Sequence, residues 1–133
     1  MVVDASAIGE YLLGTGLGAQ VATLIEAPDS RIEVPQICDL EVVSGLRKGT
    51  LLRQFTVSRA AEMFVDYLAL PMERHEHRGL LRRVFELHQN FTPYDAAYVA
   101  LAERLGATLV TCDLRLTRAA RQLTDLNVVG VGI

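Results

Sequence analysis

The sequence is short of cysteine, nearly free of lysine and without a long apolar run, and each shortage removes a class of explanation. Its two cysteines, Cys38 and Cys112, lie far apart in no metal-binding pattern and beside apolar residues, so both read as buried thiols. Half of the 133 residues are hydrophobic, yet no uninterrupted apolar stretch approaches the roughly 20 residues that a membrane helix needs. The opening Met-Val-Val-Asp has no basic region and puts an acid where a signal peptide is apolar, so a cytoplasmic protein is expected. A net charge of −3 argues against a general nucleic-acid coat protein, which is basic. It leaves room for an enzyme that meets nucleic acid locally through bound metal. All but one of the basic residues are arginine, whose planar fork suits phosphate and carboxylate. Repeats, linkers and low-complexity tracts are missing too, so residues 1–133 are expected to form one domain.

What is present is an alternation of short apolar runs with helical patterns. Met1–Val3 reads as a buried parallel strand ending at Asp4, followed by a helix over Ala5–Leu13. Gly14 to Gly18 breaks the pattern, which resumes as a helix over Ala19–Ala27. A strand is expected over Arg31–Val34 and a helix over Gln36–Lys48, closed by Gly49. Ser58–Tyr67 is helical, Leu68–Met72 is a short strand interrupted by Pro71, and His75–His88 is a charged amphipathic helix. Thr92-Pro93-Tyr94-Asp95 opens a helix over Pro93–Leu105 that Gly106 closes. A strand over Thr108–Thr111, a helix over Leu114–Leu123 and a strand over Val128–Val131 complete the chain. Such alternation predicts an α/β fold, a mostly parallel sheet flanked by helices.

The acidic residues fall at telling places. Asp4 follows the first strand, Asp95 lies in the first turn of the clearest helix, and Asp113 lies between a strand and a helix. An open parallel sheet gathers such positions at the carboxyl ends of its strands, where ligands bind. Each acid alone is explained as well by helix capping, and Thr92 to Asp95 resembles a capping box. Caps need not share one edge of one sheet, and these three do. Glu41 lies inside a helix, near Ile37, Leu40 and Ser44, where capping cannot explain it and an unpaired carboxylate is costly. Periodicity does not choose between Glu41 and Asp39.

Carboxylates without thiols or paired imidazoles suit a hard cation such as Mg²⁺ or Mn²⁺. One ion lowers the pKa of a bound water, and two held about 4 Å apart stabilise the attacking and leaving oxygens of an in-line displacement. Phosphodiester hydrolysis is the reaction class this chemistry serves best.

Four segments together resemble the PIN-domain nucleases: Val2-Val3-Asp4-Ala5-Ser6-Ala7, Leu40-Glu41-Val42, Thr92-Pro93-Tyr94-Asp95-Ala96-Ala97-Tyr98-Val99-Ala100-Leu101-Ala102, and Thr111-Cys112-Asp113-Leu114-Arg115-Leu116. Their order and spacing are similar to those of the short stand-alone VapC-type toxins of bacterial toxin–antitoxin pairs, over essentially the whole chain. The resemblance implies a PIN-like α/β/α sandwich and a magnesium-dependent endoribonuclease that inhibits translation and growth when free of its antitoxin. It implies Asp4 and Asp95 as the main metal ligands, with Glu41, preferred to Asp39 on this ground, and Asp113 completing the acidic pocket. Ser6 and Thr111 become polar supports, and Arg115 a positive group within reach of a substrate phosphate. An RNA substrate, a homodimer and a VapB-type antitoxin that lays an arginine-bearing tail in the pocket are implied as well.

Other signals are discounted. Gly14, Gly16 and Gly18 follow a helix rather than a strand and do not match the dinucleotide fingerprint, so they read as a turn. His75 and His77, two apart, point away from each other on a helix and read with His88 as a solvated face. Arg115, Arg118 and Arg121 form a helix face that could meet phosphates, as could Arg74, Arg78, Arg82 and Arg83. Tyr94 and Tyr98 read as packing or dimer contacts. Two alternatives remain: a PIN-like module that binds a partner without cleaving, and a haloacid-dehalogenase-type phosphatase, which needs a second Asp where Ser6 stands.

Overall fold

In a computed structural model describing all 133 residues, five parallel strands form one sheet in the order β3-β2-β1-β4-β5. The strands are β1 (Val2–Val3), β2 (Ile32–Pro35), β3 (Met72–His75), β4 (Leu109–Thr111) and β5 (Val128–Gly130). The helices are α1 (Ala5–Leu13), α2 (Gly16–Ile25), α3 (Ile37–Leu51), α4 (Val57–Ala69), α5 (Leu81–Glu86), α6 (Pro93–Leu105) and α7 (Leu114–Leu123), with a 3₁₀ turn over Arg78–Leu80. No helix is long and apolar enough to cross a membrane.

The central strands are short and mostly apolar because they are covered on both faces. Val2, Val3, Val34, Leu109 and Val110 are all buried. From β1 the chain moves outward through β2 to β3, then returns to place β4 on the other side of β1. Right-handed crossovers in opposite directions put their helices on opposite faces of the sheet. The α1 to α4 helices pack against one another, while α6 lies across β1, β2 and β4 with α5 on its outer side. The reversal opens a crevice between β1 and β4 at their carboxyl ends, where Val2 pairs with Leu109 and Val3 with Val110.

Several expected boundaries shift. Gly16 and Gly18 belong to α2, which Thr15 caps by accepting a hydrogen bond from the Gly18 N–H at 3.0 Å. Gly18 lets α2 approach α1, since a Cβ there would lie 2.1 Å from the Glu10 carbonyl oxygen. Gly49 does not end α3, which runs to Leu51; glycine stands there because the Phe55 ring occupies the space a side chain would need. The third strand is Met72–His75 rather than Leu68–Met72. Helix α4 continues to Ala69, and β2 pairs in register from Ile32↔Met72 to Pro35↔His75. As an edge strand β3 carries exposed Glu73 and Arg74, so it lacks an apolar pattern.

Extending β3 to His75 dissolves the start of the expected helix over His75–His88, which is only the 3₁₀ turn and α5. His75 and His77 are therefore not on a helix face. His75 sits 3.5 Å from Glu33, and His77 Nε2 accepts the Ile37 N–H at 3.0 Å. Arg74 lies on β3, apart from Arg78, Arg82 and Arg83. Of the two thiols, Cys38 is buried and Cys112 only half-buried.

Candidate active site

Asp4 is the first residue beyond β1 and the N-cap of α1, its Oδ1 accepting the Ala7 N–H at 3.0 Å. The same oxygen accepts the Ser6 hydroxyl at 2.7 Å, and Oδ2 accepts the Thr111 hydroxyl at 2.5 Å. The capping explanation for Asp4 is thus correct and incomplete, because this cap is buried and carries more donors than a cap requires. Burial pushes the Asp4 carboxyl above its ordinary value. Hydrogen bonds from Thr111, Ser6 and Ala7 oppose the rise, and the charge of Asp95 adds to it.

Thr111, at the end of β4, ties this acid to the next one. Its hydroxyl oxygen accepts the Asp113 N–H at 3.0 Å while donating to Asp4. Ser6 braces the same junction from α1, accepting the Cys112 N–H at 3.0 Å. Asp113 caps α7 by accepting the Leu116 N–H at 3.1 Å. These bonds, made by Ser6 and Thr111, fix the exits of β1 and β4 against each other. The bond from Ser6 to Asp4 also leaves its position unlike the second acid that the phosphatase alternative needs.

Asp95 reaches the crevice from α6. Its N–H donates to Thr92 Oγ1 at 3.1 Å, one half of a capping box. The other half is not made. The Asp95 carboxylate turns instead to Arg115, with Nη2 to Oδ2 at 2.7 Å, and the same nitrogen lies 3.7 Å from Asp113 Oδ2. Arg115, on the first turn of α7, is a solvent-facing cation spanning two of the acids. The other arginines of that face divide: Arg118 is exposed, and Arg121 donates to the Val128 carbonyl.

Glu41 enters from α3. Its Oε1 accepts the Tyr98 hydroxyl at 2.7 Å. Burial pushes this carboxyl up, the Tyr98 bond opposes the shift, and the charges of Asp95 and Asp4 add to it. Asp39 points elsewhere, accepting the Tyr67 hydroxyl at 2.5 Å and the Arg74 guanidinium at 2.9 Å. Nor is the Glu41 face the apolar one expected, since Leu40 is 68% exposed; the buried residues of α3 are Cys38, Val42 and Gly49. Tyr98, expected only to pack, is the residue that sequence reasoning missed. The available signal was its place three residues after Asp95, on the same face of α6.

Asp4, Glu41 and Asp95 are thus close enough to feel one another's charge, and Asp113 is tied to them through Thr111 and Arg115. No three of them, or of any His, Cys, Asp and Glu side chains, are gathered tightly enough to enclose one ion. An oxygen-only set of this kind still fits Mg²⁺, which takes one or two protein carboxylates and keeps its waters. Beside the acids, a groove between α1 and α3 is lined by Ser6, Gly9, Glu10, Glu41 and Gly45.

Residues 1–122 match the family model described as PIN domain. The chain belongs to the PIN-domain family. Among its relatives are Ribonuclease VapC12 and Ribonuclease VapC9 of Mycobacterium tuberculosis. They are 33% and 37% identical to it, each over 97% of this chain and 98% of the relative. This PIN domain therefore groups with the VapC ribonucleases. Its fold is also that of VapBC2 from Rickettsia felis, solved bound to a DNA fragment from their promoter. The match has a TM-score of 0.67 at 15% identity, covering 97% of this chain and 96% of that one.

Proposed function

We propose that this PIN domain is the toxin of a toxin–antitoxin pair, an endoribonuclease that hydrolyses RNA phosphodiester bonds with Mg²⁺, or Mn²⁺ in its place. The observation that carries the reading is the convergence of Asp4, Glu41, Asp95 and Asp113 on one crevice, with the Asp4 and Glu41 carboxyls raised by burial and by their acidic neighbours. Such a cluster is electrostatically unfavourable by itself, and a bound cation relieves it.

Asp4 and Asp95 would hold the ion, with Glu41 and Asp113 completing the pocket. Bound there, a divalent ion would supply a water of lowered pKa and offset charge on the phosphate oxygens. The chain supplies position and charge balance. Ser6 and Thr111 fix the Asp4 carboxylate through its two oxygens, and Thr111 sets Asp113 beside it. Arg115, exposed and already pairing with an anion, would exchange Asp95 for a substrate phosphate. The relatives' names and a VapBC neighbour support a VapB-type antitoxin as partner, and an antitoxin arginine could pair with the same acids. The homodimer expected from the family stands as part of the proposal.

The test is cleavage of a defined RNA pool by antitoxin-free protein with Mg²⁺ or Mn²⁺ and then with excess chelator, beside Asp95→Asn. Metal-dependent cleavage lost in the variant is the expected result. Folded protein that binds an antitoxin peptide but cleaves nothing in any metal would replace the nuclease with a partner-binding module.

A further inference from the structure

Glu41 is the least secured of the acids. Asp4 is held by donors on both oxygens, Asp113 by a backbone N–H and Asp95 by Arg115. Glu41 accepts one hydrogen bond, from Tyr98. It sits on a longer, half-exposed side chain whose neighbours Asp4 and Asp95 repel it. Left to itself, such a side chain gains both entropy and distance from like charge by swinging into solvent. The donor that opposes this is unusually fixed: Tyr98 is 1% exposed, on the buried face of α6, one turn after Asp95.

We propose that Tyr98 is a positioning residue for Glu41, its buried hydroxyl holding the Glu41 carboxylate in the acidic crevice against repulsion from Asp4 and Asp95. Helix α6 then serves the site twice, delivering Asp95 directly and Glu41 through the hydroxyl one turn later. The inference rests on the metal-binding reading of Glu41.

The same neighbourhood contains its own control. Tyr67 is also 1% exposed, also lies against Cys38, and donates its hydroxyl to Asp39, outside the crevice. Tyr98→Phe and Tyr67→Phe therefore delete equivalent atoms from one core, and only the first touches the crevice.

The experiment measures Mn²⁺ binding through the electron paramagnetic resonance signal of the free ion. It compares wild type, Tyr98→Phe, Tyr67→Phe, Glu41→Gln, Asp95→Asn and the Tyr98→Phe/Glu41→Gln double variant, each below its melting temperature. Outer supports of metal ligands typically contribute about 10–100-fold in affinity, so Tyr98→Phe should weaken binding about tenfold. Tyr67→Phe should stay within about twofold of wild type, and the double variant should bind no more weakly than Glu41→Gln. Should Tyr98→Phe fail to fold, Glu41→Asp keeps the proposal open to refutation from a half-exposed position. It keeps the charge but withdraws it from the hydroxyl, and it should weaken binding similarly.

Wild-type affinity in Tyr98→Phe or in Glu41→Asp overturns the proposal. So do equal losses in the two tyrosine variants, or losses that multiply in the double variant. If Asp95→Asn weakens binding and Glu41→Gln does not, Glu41 is no part of the metal site and the tether falls with it. If neither weakens binding, the site reading itself has failed.

Discussion

Two carboxylates two residues apart on α3 have opposite surroundings. Asp39 and Glu41 each accept a hydroxyl from a buried tyrosine, and the Cys38 thiol lies between the two tyrosines. Asp39 then meets Arg74, whose guanidinium also lies over the Tyr67 ring, 5.8 Å from its centroid. Glu41 meets only further acids. One carboxylate is neutralised within the fold, and the other is left with a charge the fold does not balance. Unbalanced, partly buried charge of this kind raises the free energy of the protein without a cation and favours any cation that enters. Under the proposed function, the difference between a structural acid and a ligand-binding acid lies in what each faces, since residue type, helix and donor are the same in kind.

The strongest test of that difference is turnover. Asp4→Asn, Asp95→Asn and Glu41→Gln should each reduce metal-dependent RNA cleavage by about 100-fold or more, exceeding what loss of a supporting group produces. Asp39→Asn should leave the rate within about threefold of wild type while lowering stability by about 1 kcal/mol, because Tyr67 and Arg74 lose a charged partner at the surface. Initial rates beside denaturant melts check both halves. An Asp39 variant as inactive as Glu41→Gln would erase the contrast.

The second test reads the same asymmetry as stability. A ligand that binds only the folded state at about 100 times its dissociation constant adds roughly 2.7 kcal/mol, so saturating Mg²⁺ should raise the wild-type melting temperature by roughly 5–10 °C. Glu41→Gln should lose most of that increment and Asp39→Asn should keep it. Equal increments in all three would mean that the ion binds elsewhere.

How much of this could be read beforehand follows from which forces were local. Asp4 and Asp113 were legible because a strand end followed by an N-cap is written in a few adjacent residues, and Asp95 because Thr92-Pro93 announces a helix start. A mostly parallel sheet followed from alternating elements, and the sheet proves parallel throughout. Glu41 was not separable from Asp39, since α3 is apolar on most sides by pattern and only Tyr98, Tyr67 and Arg74, from distant segments, decide which acid faces which neighbour. For the same reason β3 was misplaced. Met-Glu-Arg-His has no strand pattern, and its pairing with β2 is non-local. The resemblance to a family named Glu41, while the contacts give a physical reason why the two acids differ.

A smaller effect concerns the empty protein. Asp4 has its carboxyl raised above 3.8, so between that value and its raised value the folded state binds more protons than the unfolded chain. Its contribution to stability is therefore fully present below 3.8 and lost as pH rises through the folded value. In chelator, wild type should gain stability relative to Asp4→Asn as pH falls from 7 towards 3.8. At pH 7 the variant should melt a few degrees higher, because Asn still caps α1 and carries no charge. Adding Mg²⁺ should reverse the order. Calorimetry across pH, with and without metal, would expose a failure of either sign.

The smallest effect separates the two arginine pairs. Arg74 and Arg115 each hold a carboxylate, but Arg115 is 61% exposed and its partners belong to the crevice. If Arg115 is an exchangeable counter-ion, Arg115→Gln removes a competitor for Asp95 and should tighten Mn²⁺ binding by about twofold to threefold, with stability changed by less than about 0.5 kcal/mol. It also removes one phosphate contact. RNA binding in a Glu41→Gln background, where turnover is suppressed, should therefore lose about 0.7 from its log–log salt slope. Arg74→Gln should move neither quantity, because its charge is committed to Asp39 and its face to Tyr67. If Arg74→Gln changed Mn²⁺ affinity as much as Arg115→Gln, the acids of α3 would be one electrostatic unit and the division between Asp39 and Glu41 would not hold.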